Sequence, residues 1–281
     1  MNTWKKAPLD PTVAQFVECY WLLEVNYGEM ERPSPVLIPN PSCHLVITPP
    51  DAIHHYQYAD KDRSKLVQLT GSHIIMPSTR ALTLLDDKQV LRLGVKFLPG
   101  AQYQLFGLDG KATINQTFND LPAIHSLLQP KDLEALFPFK TDQYRIIEAL
   151  DNRIAAIIGQ TTEDRHSLLV NQALQILAQQ AAHGIEHKLA CSRRTLERSF
   201  TKVTGLTLKQ YELMVRLDKL LLFIYQQPEG QLDWASIAAQ FGFSDQPHLI
   251  RMLKKSIGET PGSYLNTRNL IIDIYGDFES S

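Results

Sequence analysis

The first hundred residues alternate short apolar runs with turn-forming residues. The runs are rich in Val, Ile, Leu or aromatic side chains, and Pro, Gly, Asn or Asp bounds them. They lie at Leu45–Thr48, Ile53–Tyr58, Leu66–Leu69 and Leu91–Phe97. Runs of this length between such residues are typical of β-strands, and several in succession predict a small β-barrel or sandwich.

Beyond Pro99-Gly100 the apolar residues take up a helical period. Ala101–Phe106 predicts a short helix, and Lys131–Phe137 predicts a second. A longer one is predicted from Asp142 to Ile158, because isoleucine and leucine recur there at intervals of three and four. Two alternatives stay open for this stripe: it packs on its own domain, or helix 142–158 is the seam of a homodimer.

The polar stretch 159–167 (GQTTEDRHS) separates this part from a region that is helical almost throughout. We therefore predict a domain at 1–160, with helices between 131 and 158, a linker at 161–167 and a second domain at 168–281. The predicted fold class is α+β. A small β-barrel or cupin-like domain with flanking helices precedes an all-α domain.

Two segments of the second domain share one pattern, Ile185–Gly205 and Ile237–Gly258. Each has an apolar start, a tight connection, a capping Ser or Asp, and an amphipathic helix that a glycine closes. This order is typical of helix-turn-helix units, and it predicts recognition helices at about 192–203 and 245–256. Between the segments, Leu208–Gln226 predicts a long buried helix that fixes their spacing, since adjacent major-groove faces recur at about 34 Å.

One face of each recognition helix is apolar, with Leu196, Phe200 and Val203 in the first and Leu249, Leu253 and Ile257 in the second. Ser192 is the predicted cap of the first helix, and either Ser244 or Asp245 caps the second. The DNA-contacting candidates are Ser192, Arg193, Arg194, Glu197, Arg198, Gln246, Pro247, His248, Arg251 and Lys255.

The chemistry of these side chains suits nucleic acid. Arginine presents a bidentate fork to guanine, glutamine pairs with adenine, and lysine places a point charge near phosphate. For Glu197 two interpretations stay open, since its carboxylate could accept from a cytosine amino group or pair with Arg193 or Arg194. Pro247 falls in the first turn of its helix, where a missing N–H costs nothing.

Composition narrows the class of protein. Of 281 residues, 44% are hydrophobic and 21% charged, as in a globular protein. The net charge of −2 hides a basic segment, because His166 to Arg268 carries twelve Lys and Arg against eight Asp and Glu. Without a membrane-length apolar run or a signal sequence at the N-terminus, we expect a cytoplasmic protein that does not enter a membrane.

The second domain resembles the AraC/XylS regulators. Phe241–Tyr264 (FGFSDQPHLIRMLKKSIGETPGSY) is similar to their second helix-turn-helix signature, and SRRTLERSF at 192–200 to their first recognition helix. The resemblance covers about 167–268. It implies double-stranded DNA as partner and RNA polymerase as a further one. Activation of transcription is the usual role of such regulators, and activation and repression both stay open for this chain. The base-facing positions it implies are Arg194, Glu197 and Arg198, then Gln246, Pro247, His248 and Arg251.

The chain departs from the family pattern at three positions. The family usually has Ala where Glu186 stands and Gly where Ala190 stands, which would make the first turn irregular. Pro247 replaces a polar base-contacting residue, so direct readout by the second helix is expected to be poorer.

The first domain is similar, over Phe16–Glu24, Gly71 and Gly94–Gly107, to a sensor domain of some AraC-type regulators. In those domains a Pro-Asp-Gly motif usually stands where this chain has Pro39-Asn40-Pro41-Ser42. The resemblance implies an unknown effector or protein partner there, with ligand-binding residues unknown.

We expect neither an enzyme nor a cofactor. His44, His54, His55 and His73 lie in the predicted strands, yet no HxH or HxxxH pair occurs among these four, and the adjacent His54 and His55 point to opposite faces of a strand. We therefore expect no metal site and no catalytic residue. The alternatives are a cupin-like metalloenzyme fused to the DNA-binding module, and a regulator that a protein partner controls.

Overall fold

The computed structural model describes residues 2–28, 34–59, 65–85, 87–120, 136–161, 163–179, 184–227, 232–258 and 260–267. The strands are β1 (Asn2–Lys6), β2 (Val17–Asn26), β3 (Val36–Leu37), β4 (His44–Ile47), β5 (Ile53–Tyr58), β6 (Lys65–Thr70), β7 (His73–Ile75), β8 (Leu82–Leu85), β9 (Gln89–Phe97) and β10 (Thr117–Phe118). The α-helices are α1 (Ala101–Phe106), α2 (Gly110–Thr113), α3 (Gln143–Ile158), α4 (Arg165–Gln179), α5 (Ile185–Lys188), α6 (Arg193–Thr204), α7 (Leu208–Gln226), α8 (Trp234–Gln240), α9 (Gln246–Ile257) and α10 (Pro261–Thr267). All strands but the short β10 precede the α-helices, and this segregation confirms the α+β class.

The strands form two antiparallel sheets. One has six strands in the order β1-β2-β9-β4-β7-β10, and the other has four in the order β3-β8-β5-β6. The four predicted strands are all present, each within two residues at either end. In the described part of the chain these sheets are not closed into a barrel, so of the two predicted alternatives the barrel is wrong and two packed sheets are present. Among the described residues the strands pair as two separate ladders, whereas a barrel would need one continuous ladder.

The six-stranded sheet is the middle of three layers. Residues alternate along β4, so that Leu45 packs towards the helices while Val46 packs towards the four-stranded sheet. On the β2–β9 ladder only glycine fits at position 94, because the Trp21 ring lies 1.8 Å from where a Cβ would be. A polar cluster, described below, lies between the two sheets.

Helix α3 supplies most of the helical layer. Asp142 caps it through the Arg145 amide, and Ile147, Leu150 and Ile154 of the predicted stripe are each 2% exposed in the core of this domain. The stripe therefore packs on its own sheet, and these side chains are not free to form a dimer seam. Of the other predicted helix, Lys131–Phe137, residues 131–135 lie outside the described residues, and a 3-10 helix follows at Phe137–Phe139.

A helix begins within the stretch 161–167 that the sequence predicts as a linker. Helix α4 begins at Arg165, and the Asp164 carboxylate accepts hydrogen bonds from the amides of His166 and Ser167 at 2.9 and 2.8 Å. Asp164 thus begins the helix in the way an N-cap does.

The helical region has two separate cores, and α7 belongs to both. Leu208 and Met214 in its first half pack with α4, α5 and α6. Leu217, Leu220, Leu221 and Ile224 in its second half pack with α8, α9 and α10. A helix of 19 residues spans about 28 Å, so α7 is a rigid connection between two small bundles. The buried connecting helix that the sequence predicts is confirmed.

The strand-rich part contacts both bundles. The Gln102 side chain of α1 donates to the carbonyl oxygen of Val203 in α6 at 3.0 Å, and both residues are buried. The backbones of Gly110 and Gly205 meet so closely that a Cβ on Gly110 would lie 2.3 Å from the Gly205 nitrogen. On the other side, Ile38 is 6% exposed and packs in the core of the second bundle.

Candidate nucleic-acid interface

The first bundle holds a complete helix-turn-helix unit. Helix α5 leads through a turn to Ser192, whose hydroxyl accepts a hydrogen bond from the Thr195 amide at 3.1 Å. This hydrogen bond caps α6, so the predicted capping role of Ser192 is confirmed, and its contact with DNA stays a prediction. Gly205 ends the helix in a left-handed conformation, φ +81°.

The two faces of α6 divide as the sequence predicts. Leu196, Phe200 and Val203 are fully buried, whereas Arg194 and Arg198 are exposed one turn apart. Within the described residues neither arginine has a hydrogen-bond or ion-pair partner, so both guanidinium groups are available to an external acceptor.

Arg193 and Glu197 are already engaged within the protein. Arg193 contacts Glu197 at 3.0 Å and Glu186 at 3.5 Å. The second oxygen of Glu197 accepts from the Leu208 amide at 3.3 Å, at the start of α7. Of the two interpretations of Glu197, the structure shows the ion pair with Arg193. The pKa of Glu186 is lowered by a hydrogen bond from its own backbone amide and further by Arg193.

The second bundle repeats the arrangement with small changes. Asp245 is the cap of α9, since its carboxylate accepts from the His248 amide at 2.6 Å, and Pro247 lies in the first turn. Ser244, the other candidate for the cap, contacts the ring Nδ1 of His248 at 3.0 Å. That ring stands edge-on to Phe243 with 5.5 Å between centroids, so His248 is held in one orientation.

The outer face of α9 is also polar and exposed. Leu249, Leu253 and Ile257 are buried, and five candidates from the sequence face solvent: Gln246, Pro247, His248, Arg251 and Lys255. Lys254 is exposed beside Lys255 in the last turn and was not singled out from the sequence, although the adjacent lysines were a visible signal.

Arg216 of α7 is a further residue that sequence reasoning left without a role. Its guanidinium donates to the carbonyl oxygen of Gly242 at 3.1 Å and lies 5.6 Å from the centre of the Phe243 ring. It therefore fastens the turn of the second unit to the connecting helix. No periodicity along the chain reveals this contact, because 26 residues separate Arg216 from Gly242.

Among the residues described here, no three His, Cys, Asp or Glu side chains come close enough together to hold a metal ion. Across that same set, none of the helices has the length and apolar character needed to cross a membrane.

Comparison with known families identifies the helical region. A family described as a helix-turn-helix domain matches residues 185–267, the whole span from α5 to α10. The C-terminal region is an AraC-type helix-turn-helix domain. The chain is therefore a DNA-binding transcription regulator, and AraC-type regulators as a class are not enzymes.

The N-terminal region matches a different family over residues 6–119, described as a domain of unknown function (DUF6597). The comparison with curated proteins finds no match. Among solved structures, ToxT from Vibrio cholerae is similar at 13% identity over 94% of this chain and 96% of that chain, with a TM-score of 0.42. An apo variant of ToxT shares 12% identity over 88% and 97%, with a TM-score of 0.49. ToxT bound to an unsaturated fatty acid shares 12% over 89% and 94%, with a TM-score of 0.41.

The AraC-type domain keeps its first turn despite the departures seen in the sequence. Ala190 adopts the left-handed conformation, φ +48°, that Gly242 adopts in the second unit at φ +71°. Glu186 forms an ion pair with Arg193, with 3.5 Å between the charged groups. The expected irregular turn is thus replaced by a turn of the usual kind that carries an alanine.

Proposed function

We propose that this regulator reads a specific operator with α6 and α9 placed in adjacent major grooves of double-stranded DNA. The observation that supports the proposal is the matched build of the two helices. Each is capped at its start, buried along one face and exposed along the other, and each carries arginine on the exposed face. A recognition helix needs this division, because it must pack on its partner helix while it presents polar groups to base edges.

In α6 we assign base contacts to Arg194 and Arg198, whose guanidinium groups are unengaged among the described residues. Arg193 and Glu197 hold each other, so we assign the pair to orienting the helix and Arg193 alone to a contact with the phosphate backbone. Ser192 lies at the helix N-terminus, where its exposed position favours a phosphate contact.

In α9 we assign base contacts to Gln246, His248 and Arg251. Pro247 offers no donor, so its ring would meet the DNA through apolar contact, for example with a thymine methyl group. Lys255 and Lys254 lie at the C-terminal end of the helix, where a flexible ammonium suits phosphate. The second helix would then make fewer hydrogen bonds to base edges than a helix with a polar residue at position 247.

We propose that the N-terminal domain modulates DNA binding through its contacts with both bundles. Gln102 and Gly110 touch the end of α6, while Ile38 touches the second core. A ligand or partner that moved this domain would bias the positions of both recognition helices. A homodimer through the stripe of α3 is not part of the proposal, since that stripe is buried.

RNA polymerase is the partner through which we propose that the bound regulator activates transcription. Transcription in vitro from the operator-bearing promoter, with purified polymerase, measures this directly. A rise in transcript on adding the regulator supports activation, and a fall indicates repression.

The experiment that tests DNA reading is genome-wide occupancy of the tagged protein, followed by affinity for the recovered operator. Arg198→Ala and Arg251→Ala should each weaken operator binding by about 1–3 kcal/mol and relax readout at one base pair. The charge-matched control is Lys111→Ala/Arg165→Ala, which removes two exposed cations outside the two recognition helices. If the Arg198→Ala/Arg251→Ala double variant kept every promoter peak, the assignment of the recognition helices would be wrong.

A further inference from the structure

A cleft of about 660 Å³ opens between the two sheets of the N-terminal domain. The end of β2, the turn before β5, β5 itself and the start of β9 line it. Its size suits a small organic molecule. It contains none of the side chains assigned above to DNA.

Two basic side chains that line this cleft are almost completely buried. His54 comes from β5 of the four-stranded sheet and is 5% exposed, and Arg92 comes from β9 of the six-stranded sheet and is 4% exposed. Asp51 and Asp87, which also line the cleft, are exposed and stand at its rim. The cleft therefore has a basic interior and an acidic mouth.

The hydrogen bonds around His54 fix its tautomer. The hydroxyl of Thr48 donates to the carbonyl oxygen of Pro49 at 3.3 Å, so it must accept from His54 Nε2 at 3.1 Å. Nδ1 is then a bare acceptor. Burial, with electrostatic repulsion from Arg92 and from His73 when that ring is protonated, lowers the pKa of His54 to about 3, so the ring is neutral at physiological pH.

The neighbouring His73 differs in one respect. Its Nδ1 donates to the carbonyl oxygen of Gly71 at 2.8 Å, and its Nε2 accepts from the Tyr56 hydroxyl at 2.5 Å. The two imidazole rings lie 4.7 Å apart. Both nitrogens of His73 are thus satisfied, whereas Nδ1 of His54 is buried and has no partner in the described part of the chain. An unsatisfied buried acceptor is costly, so the site favours a molecule that brings a donor.

We propose that this cleft binds a small molecule that carries a hydroxyl group beside a second oxygen. The hydroxyl donates to Nδ1 of His54, and the neighbouring oxygen accepts from the guanidinium of Arg92. An ammonium donor is disfavoured because it would meet the positive charge of Arg92. Two kinds of compound share this chemistry, the polyols and the 2-hydroxy carboxylates. The inference rests on the proposed control of DNA binding by the N-terminal domain, and it names the place and the class of the effector.

Binding is tested on the full chain without DNA, by thermal melting and by calorimetry. Sorbitol and ribose represent the polyols, and lactate and malate the 2-hydroxy carboxylates. Propionate and succinate are the matched acids without a hydroxyl. Each is used at low millimolar concentration, because polyols at high concentration stabilise proteins by exclusion from the surface. We expect a saturable rise in melting temperature in one of the two hydroxylated sets and none with propionate or succinate.

Variants then place the ligand. His54→Phe keeps a ring and removes the acceptor, so the affinity for the ligand should fall at least tenfold. His54→Asn returns an acceptor near the position of Nδ1 and should recover part of the lost affinity. His55→Phe, on the other face of β5, is the control and should bind like the wild type. No saturable binding in either hydroxylated set, or unchanged binding by His54→Phe, would overturn the proposal. Because the assay contains no DNA, its failure is separate from a failure of operator recognition.

Discussion

At the scale of single residues, Ala190 has a backbone conformation that suits glycine better. Its φ of +48° lies in the left-handed region, where a Cβ costs about 1–2 kcal/mol. The second unit meets the same need with Gly242. The first turn is therefore under strain in the wild-type chain.

Replacing this alanine should stabilise the protein. We expect Ala190→Gly to raise the free energy of unfolding by up to about 1 kcal/mol, because relief of the strain exceeds the added entropy of the unfolded chain. The control is Ala239→Gly, at an exposed position in α8, which should lower it by about 1 kcal/mol. Thermal or urea unfolding measures both, and a loss of stability in Ala190→Gly would contradict this account.

Much of the residue scale could be predicted from the sequence, because caps act locally. Ser192 caps a helix that starts at the next residue, and the side chain and the amide it serves are three residues apart. Glu197 shows the limit. Its position on the outer face indicated a base contact or an ion pair. The ion pair with Arg193 depends on side-chain conformation, which the sequence pattern does not determine.

At the scale of elements, α7 positions the second unit through Arg216. Two contacts hold the turn before α9, the hydrogen bond to the Gly242 carbonyl and the approach to the Phe243 ring. The helix itself was predictable here from 19 residues that contain no Gly or Pro and are apolar on more than one side, since helices form from local hydrogen bonds. The role of Arg216 was not, because its partners lie on another element.

Removing this contact should loosen the second unit. We expect Arg216→Ala to lower the free energy of unfolding by about 1–2 kcal/mol, from the lost hydrogen bond and cation–π contact. It should also weaken operator binding. Lys219→Ala removes an exposed cation from the same helix and should have little effect on stability. Chemical unfolding and operator titration measure both variants. Equal stability and equal operator affinity of the two would argue against a role of Arg216 in holding the turn.

At the scale of the whole molecule, the close approach of Gly110 and Gly205 joins the N-terminal domain to the end of α6. A Cβ on Gly110 would lie 2.3 Å from the Gly205 nitrogen and 2.7 Å from the carbonyl carbon of Thr204. These atoms are backbone, so they cannot turn aside as a flexible side chain can.

Any side chain at this position should push the two domains apart. We expect Gly110→Ala to lower the free energy of unfolding by about 1–3 kcal/mol, as overpacking does in protein cores. Gly159→Ala is the matched control, because its Cβ would lie 3.6 Å from the nearest atom, in ordinary contact. Melting curves of the two variants and the wild type decide the matter, and a Gly110→Ala protein as stable as wild type would exclude a tight interface.

The whole-molecule scale was the hardest to predict. Individual strands such as Ile53–Tyr58 were evident, but their pairing into two open sheets depends on partners far along the chain, such as β10 with β7. The meeting of His54 and His73 across the two sheets has the same origin. An alternating pattern tells which face a residue occupies, and it does not tell which other strand that face will meet.

The shared helix α7 has a consequence for the DNA rather than for the protein. B-form DNA turns once in about 10–10.5 base pairs, so a half-site that moves by five base pairs faces the opposite side of the duplex. Because one end of α7 is embedded in each core, the protein has no joint along it that could stretch or rotate to follow. If α6 and α9 read adjacent major grooves as proposed, the operator is defined by rotational phase as much as by its bases. An insertion between two intact half-sites would therefore weaken binding although neither half-site sequence is changed.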